Sequence, residues 1–283
     1  MSTDWRFALL GEKLSYTKSP DIFAAIGESL NQDIRFEIQD LSKQRLPEAL
    51  YRLRERQIDG LSVTIPHKES VCSFVDRCSP EAETIGAVNC VVSDQGKLTG
   101  HNTDWEGFME PLMSLAGRLT GGRVLIFGSG GSARAAIFAL RNCIPVKEFV
   151  VVSRGLNRCA AVEMAAGEVT VRVLTFDQLS QETGILDSCS LIVNATPLGG
   201  SNHPDGGMLQ TVLAGSHAAT YYDLNYNDNN LLIQKAGEVG DTVISGKRML
   251  VAQALKSFTL WTGVEVPFEP IYQKVFGPTN RQA

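Results

Sequence analysis

The sequence predicts an α/β protein in two parts: an N-terminal α/β domain, then a doubly wound parallel sheet of the Rossmann type. Three observations carry this. Residues 123–143 read as a buried strand, a glycine turn and a helix in direct succession. Six candidate strands, at 123–127, 148–153, 169–174, 190–194, 219–223 and 242–244, alternate with helical segments. Ahead of them, residues 5–104 carry strands of mixed pattern, including a hairpin.

The elements follow in order. WRFALL (5–10) reads as a first strand. Ser19 before Pro20 has the form of an N-cap and first helical residue, and Ile22, Phe23, Ile26 and Leu30 share one face of the helix behind them. Thr17 is not needed by such a cap. IRFEIQD (34–40) alternates as a strand, residues 43–56 read as an amphipathic helix, and GLSVTI (60–65) is a third strand stopped by Pro66. Thr64 and Lys68 therefore follow a strand end, where α/β proteins place ligand-binding groups. Strands at 86–93 and 97–104 flank Asp94-Gln95-Gly96 as a hairpin that carries Asn89 and Asp104. Asp104 also has the form of a cap for the helix WEGFMEPLMSLAG. Simplest winding gives the six later strands the order 3-2-1-4-5-6. Between the fourth and fifth, NATPLGGSNHPDGG puts Asn194, Thr196 and Gly199 at a strand's carboxyl end. A helix opens after Gly246 with Gln253 near its apolar face, and PFEPIYQKVFG suggests a last helix packed back on the first domain.

The glycine turn predicts the chemistry of the second domain. Gly128 permits a tight turn, and Gly130 lets backbone N–H groups approach a pyrophosphate. Gly131 and Ser132 open a helix whose free N–H groups and dipole favour the same anion. Ala133 stands at the third glycine of the fingerprint. A site for NAD usually ends its second strand with Asp or Glu; this chain has Ser153 and Arg154, with Arg158 a turn later. Two guanidiniums suit a 2′-phosphate, so the expected cofactor is NADP.

Bulk composition narrows the partners. A net charge of −5 with no basic run argues against nucleic acid or an anionic membrane. The first residues lack the form of a secretory signal, and no apolar run reaches membrane-spanning length. Cys72, Cys78, Cys90, Cys143, Cys159 and Cys189 are scattered, as expected for reduced thiols in a cytoplasmic protein. Four histidines without a ligand spacing give no metal site.

The motifs GEKLSYTKSP, SVTIPHKE, IGAVNC, GHNTDWEGF, GSGGSARAA, SRGLNR, NATPLGG, DLNYN and GKRMLVAQA occur in that order. With them the chain resembles the shikimate dehydrogenase family, including its quinate/shikimate relatives, from about residue 7 to 277. The resemblance implies a substrate-binding catalytic domain at 1–104, an NADP-binding domain at 105–246 and C-terminal helices at 247–283 returning to the first. It implies that Lys68 and Asp104 form the catalytic pair, and that Thr17 and Ser19 bind the substrate carboxylate. Thr64 and Asn89 would bind ring hydroxyls, with Tyr226 and Gln253 closing on the substrate. Gly128, Ser129, Gly130, Gly131 and Ser132 would hold the pyrophosphate. Ser153, Arg154 and Arg158 would hold the adenosine phosphate, and Thr196, Leu224 and Gly246 would lie by the nicotinamide. The implied reaction is NADP-dependent reduction of 3-dehydroshikimate to shikimate, on the route to chorismate and aromatic amino acids, by a monomer or homodimer. Alternatives are a paralogue preferring quinate or NAD, and a non-catalytic NADP-binding regulator. The chain departs from the family pattern at Tyr16, Thr17, Phe23, Ala24, Ser62, Cys90, Ser153 and the loop 227–230. Thr17 and that loop bear on substrate choice, and Ser153 on the cofactor.

Overall fold

In the computed structural model, residues 4–14, 16–182, 184–213 and 219–278 are described. The chain runs β1 (Trp5–Gly11), α1 (Ser19–Leu30), β2 (Ile34–Asp40), α2 (Leu46–Arg54), β3 (Gly60–Val63), β4 (Arg77–Cys78), α3 (Pro80–Ile85), β5 (Cys90–Asp94), β6 (Lys97–His101) and α4 (Asp104–Met109). It continues through α5 (Ala116–Leu119), β7 (Arg123–Phe127), α6 (Gly131–Cys143), β8 (Glu148–Val152), α7 (Cys159–Ala166), β9 (Thr170–Leu174), α8 (Phe176–Gln181), β10 (Cys189–Asn194), α9 (Leu209–Leu213) and β11 (Thr220–Asp223). It closes with α10 (Leu231–Glu238), β12 (Thr242–Ser245), α11 (Lys247–Thr262) and α12 (Phe268–Phe276). These form two compact units, residues 1–107 with 251–283, and residues 108–250.

The first unit holds a mixed sheet in the order β2-β1-β3-β5-β6-β4. β1 is parallel to β2 and β3, while β3–β5 and β5–β6 are antiparallel. The hairpin turn uses Gln95 and Gly96, both with positive φ, the form whose twist matches the flanking strands. One side of the sheet buries aliphatic side chains, among them Leu10, Leu50, Leu53, Leu61 and Val91. Aromatic rings gather elsewhere in this unit: Phe7 stacks on Trp261 at 4.8 Å between centroids, and Phe23 on Phe36 at 4.4 Å. A Cβ on Gly60 would lie 2.2 Å from the Trp261 ring, so this glycine lets α11 settle against the strand. α12 packs on α1 within the same unit.

The second unit is a parallel sheet in the order β12-β11-β10-β7-β8-β9, the predicted winding. Its four central strands, β11, β10, β7 and β8, are largely buried, and Leu125, Phe127, Val150, Ile192 and Tyr221 contribute to one core. Two-sided burial explains their unbroken apolar runs.

Several predicted boundaries move. The strand expected at 60–65 stops at Val63, and that expected at 86–93 begins at Cys90. The strand expected at 97–104 ends at His101, leaving Asn102 and Thr103 as a turn. The 43–56 helix is a 3-10 turn at Lys43–Arg45 followed by α2, since Pro47 favours a helix start. The helix expected after Asp104 breaks into α4, a 3-10 stretch at Glu110–Leu115 and α5, because Pro111 has no N–H to continue the ladder. Sequence reading missed β4 and α3; β4 has two residues, and Ser79 caps α3 through Ala82 N–H at 3.3 Å.

All six cysteines are free thiols. Burial pushes Cys90 up to about 12 and Cys189 up to about 11. At pH 8 a thiol titrating near 12 is thiolate only about once in ten thousand. The exposed Cys143 should therefore react with a thiol reagent well before Cys90 and Cys189, which should label only on unfolding. Peptide mapping of a labelling time course checks this order.

Candidate active site

Topology brings the predicted substrate residues of the first unit to one edge. β1 and β3 are parallel, so the segments after Gly11 and Val63 leave the sheet on the same side. β5 runs back against β3, so Asn89, just before it, starts on that side too. β6 runs back against β5 with His101 opposite Cys90, which delivers Asn102, Thr103 and Asp104 there. Residues distant in sequence thereby meet.

Lys68 Nζ donates to Asp104 Oδ2 at 2.6 Å, with only 14% of the lysine side chain and 5% of the aspartate exposed. Asn89 Nδ2 donates to Asp104 Oδ1 at 2.9 Å. Both carboxylate oxygens are thus engaged, and the carboxylate cannot swing away from the ammonium without losing a bond. The sequence also gives Asp104 the form of a helix cap; its carboxylate is instead committed to Lys68 and Asn89, while Asn102 Oδ1 accepts from Asp104 N at 3.0 Å. Val88 N donates to Lys68 O at 2.8 Å, tying the lysine's backbone to the segment that carries Asn89.

Behind the pair lies a hub the sequence did not single out. Thr103 N donates to Asn89 Oδ1 at 2.6 Å, and Asn89 Nδ2 donates to Thr103 Oγ1 at 2.9 Å. Thr103 Oγ1 also lies 3.0 Å from Gln253 O and 3.0 Å from Ser257 Oγ, both on α11. Gln253 Oε1 accepts from Asn89 Nδ2 at 3.4 Å. Gln253 therefore joins Asn89, Thr103 and the Lys68–Asp104 pair in one buried network. Position 103 in GHNTDWEGF looks like a plain turn residue; only the fold gives it these neighbours.

Thr64 sits beside the end of β1, with its Cγ2 2.7 Å from where a Gly11 Cβ would stand. The cap expected at Ser19 is not formed. Ser19 is the first residue of α1, Lys18 takes the cap position, and no side chain caps the helix. Thr17 instead does part of that work: its Oγ1 accepts from Ser19 N at 3.2 Å and lies 3.2 Å from Ser19 Oγ. The two hydroxyls predicted to take a carboxylate are therefore neighbours near a helix start. Ser15, in the same loop, lies outside the described residues.

In the second unit all six strands are parallel, so their carboxyl ends line one edge, and the strand succession changes sides between β7 and β10. A ligand site is expected at that switch. Gly128 has φ +108°, and a Cβ there would lie 3.0 Å from Ala195 O after β10. Gly130 precedes α6 with no side-chain cap, leaving the first N–H groups of α6 facing outward. A Cβ on Gly130 would find only Arg158 Nη1, at 3.8 Å, so this guanidinium overhangs the glycine turn. Ser153 Oγ donates to Gly155 O at 2.5 Å and shapes the turn that presents the exposed Arg154. Backbone donors, a turn without side chains and nearby guanidiniums are the donor set a phosphorylated dinucleotide needs, and the residues present fit that group.

The floor of this edge is a second buried network. Asp223 accepts from Asn194 Nδ2 at 3.0 Å, Tyr221 OH at 2.9 Å, and Asn225 N and Nδ2 at 2.9 and 2.8 Å. Burial raises its carboxyl above the ordinary value although these donors pull it down. Thr196 N and Oγ1 donate to Asn194 Oδ1 at 3.0 and 2.7 Å. Gly246 N donates to Asn225 O at 3.0 Å, and a Cβ on Gly246 would lie 2.2 Å from Leu224 O. Thr196, Leu224 and Gly246 are thereby drawn together. The unusual loop 227–230 has local uses: Asn227 Nδ2 donates to Gly199 O at 3.0 Å, Asp228 pairs with Lys247 at 2.7 Å, and Asn230 caps α10. Tyr226 stands half-buried at its start.

Known proteins match this chain along its length. A family profile described as shikimate dehydrogenase substrate binding domain fits residues 9–91, and one described as shikimate 5′-dehydrogenase C-terminal domain fits residues 246–276. A protein of Chlorobium chlorochromatii named shikimate dehydrogenase (NADP(+)) is 36% identical, covering 95% of this chain and 95% of its own. The chain belongs to the shikimate dehydrogenase family. A second family member, from Chlorobaculum tepidum and of the same name, is 35% identical over 97% of this chain and 96% of its own. The crystal structure of the Thermus thermophilus family member in complex with NADP(H) and shikimate is 31% identical. It has a TM-score of 0.77 and covers 96% of this chain and 98% of that one.

Proposed function

We propose that this protein is an NADP-dependent shikimate dehydrogenase that interconverts 3-dehydroshikimate and shikimate, with Lys68 as acid/base and Asp104 as its partner. The single observation that carries the reading is the buried 2.6 Å pairing of Lys68 with Asp104 at the edge where the hydroxyl-bearing loops gather. Similarity to relatives named shikimate dehydrogenase (NADP(+)) supports the substrate and the cofactor.

The roles follow from residue chemistry. NADPH, when bound, supplies the hydride. Lys68 Nζ stabilises the negative charge that develops on the ring oxygen and gives it a proton; in the reverse direction it takes that proton back. Asp104 orients the ammonium, and Asn89 fixes Asp104 from its other oxygen. Thr17 and Ser19 offer paired hydroxyls to the substrate carboxylate, Thr64 and Asn89 serve ring hydroxyls, and Tyr226 and Gln253 complete the substrate contacts. Gly128, Ser129, Gly130, Gly131 and Ser132 hold the pyrophosphate. Ser153, Arg154 and Arg158 hold the 2′-phosphate, and Thr196, Leu224 and Gly246 border the nicotinamide.

The test is absorbance at the nicotinamide band with shikimate and quinate, each with NADP and NAD. The expected result is that shikimate with NADP has the highest kcat/KM. A tenfold preference for quinate with NAD would reassign the substrate, and cofactor binding without turnover would make the protein a regulator.

The Thr103 hub gives a milder expectation. Thr103→Val keeps the side chain's shape but removes the hydroxyl between Asn89 and α11. It should cost about 1–3 kcal/mol of stability, read as a lower urea midpoint. KM for shikimate should rise while KM for NADP stays near wild type.

A further inference from the structure

Two of the cysteines stand together in the first unit, and neither takes part in the proposed chemistry. Cys72 lies in the 3-10 turn Ser70–Ser73, and Cys78 ends β4. Both are half-buried free thiols packed against the aliphatic core of that unit. The two thiols lie in hydrogen-bond contact with each other. The backbone explains why they meet. Phe74 N donates to Val71 O at 2.9 Å, Asp76 N to Leu98 O at 3.0 Å and Ser79 N to Gly100 O at 2.8 Å, so the chain bends after Cys72 and settles alongside β6. Cys78 is thereby paired with Gly100. Buried Val88 bridges the two ends of the bend. Its N–H goes to Lys68 O, the same oxygen that accepts from Cys72 Sγ, and a Cβ on Gly100 would lie 2.6 Å from its Cγ2.

We infer that Cys72 and Cys78 form a redox modification site, where a small peroxide closes an intramolecular disulfide and slows turnover. The Cys72 sulfur attacks one oxygen of the peroxide, the O–O bond breaks, and the other oxygen leaves with the thiol proton as water or an alcohol. Cys72 is then a sulfenic acid. The Cys78 sulfur attacks the Cys72 sulfur, the S–S bond forms, the S–O bond breaks, and hydroxide leaves with the Cys78 proton as water. The two sulfurs together lose two electrons and the peroxide gains two. Burial pushes the Cys78 thiol up although its contact with Cys72 pulls it down, so Cys78 is a slow attacker of a free oxidant and suits the second, intramolecular step.

The disulfide reaches Lys68 through the turn they share. Val71 N donates to His67 O at 2.9 Å, and Cys72 Sγ donates to Lys68 O at 3.6 Å. A disulfide sulfur has no hydrogen to give, so oxidation removes the second bond and draws Cys72 toward Cys78. The turn that sets Lys68 against Asp104 then shifts. A catalytic group displaced by about 1 Å costs on the order of 100-fold in rate. The effect on turnover rests on the role proposed for Lys68; the disulfide itself does not.

The full chain is treated with hydrogen peroxide, alkylated, digested with trypsin without reductant and mapped by mass spectrometry. Cleavage after Arg77 puts the two cysteines on separate peptides. Turnover of shikimate with NADP is measured on the same samples before and after dithiothreitol. The expected result is a Cys72–Cys78 linked peptide pair and a kcat lowered by about 10–100-fold, both reversed by dithiothreitol. Cys72→Ser keeps a hydroxyl for Lys68 O and should hold its kcat under the same treatment. Both thiols found alkylated after peroxide, or oxidation confined to the exposed Cys143, overturns the proposal. So does a disulfide that forms with kcat unchanged, or a Cys72→Ser variant inactivated as fully as the wild type. A reduced protein that never turns over shikimate sinks the proposed function instead, and the peptide map still decides on the disulfide.

Discussion

Lys68→Ala is expected to lower kcat by about 10²–10⁴-fold, the range for loss of a general acid–base group. Binding of NADP should be nearly unchanged, because the proposed pyrophosphate and adenosine contacts belong to the glycine turn and the residues after β8. The size of the loss follows from the setting of the side chain. Its side chain is 14% exposed, and its ammonium is held by one carboxylate oxygen, whose twin is held in turn by Asn89. No other lysine is bonded to that carboxylate among the described residues, so no neighbour replaces the lost proton donor. The measurement is steady-state turnover with saturating shikimate, alongside cofactor titration by fluorescence. A variant that retains near wild-type kcat removes Lys68 from the chemistry. A variant that loses cofactor binding and turnover together points to a folding defect.

The Arg154→Ala/Arg158→Ala double variant should raise KM for NADPH by roughly 10–100-fold, the scale of one or two lost hydrogen bonds to a charged group. KM for NADH, which lacks the 2′-phosphate, should change by less than about threefold on the same reasoning. The two proposed arginines are placed differently. Arg158 Nη1 overhangs Gly130, so it is placed for the pyrophosphate side of the turn as well as the ribose phosphate. Arg154 is exposed beyond β8, in a turn braced by the Ser153–Gly155 bond. Arg154→Ala alone should therefore shift the NADPH/NADH ratio more than Arg158→Ala alone. Equal weakening of both cofactors by Arg154→Ala would contradict its assignment to the 2′-phosphate.

The doubly wound sheet was legible because its signal is local. Each buried parallel strand needs an unbroken apolar run, each run is followed by a helix, and the glycine turn marks where the winding starts. The Lys68–Asp104 pairing was reached through motif resemblance; periodicity alone would leave Lys68 an ordinary charge behind a strand. Thr103 stayed hidden because its partners, Asn89, Gln253 and Ser257, lie 14, 150 and 154 residues away and meet only through the sheet and α11. Ser19 misleads for the opposite reason. Ser-Pro is a strong local helix-start signal, but the helix begins one residue early, and the oxygen that answers a backbone N–H is Thr17's. Asp223 carried a legible hint, an acidic residue ending a buried strand in DLNYN, whose meaning depends on three asparagine and tyrosine neighbours supplied by the fold.

The nesting of the Trp261 ring against Gly60 has a consequence for the order in which the molecule is made. The aromatic half of the first unit's core needs Phe258 and Trp261, which lie some two hundred residues downstream of the strand they cover. As the nascent chain leaves the ribosome, the segment from Phe108 to Leu250 has all its own strands in hand and is free to fold first. The first unit's earlier segment must wait, its rings exposed, until α11 emerges and seals it.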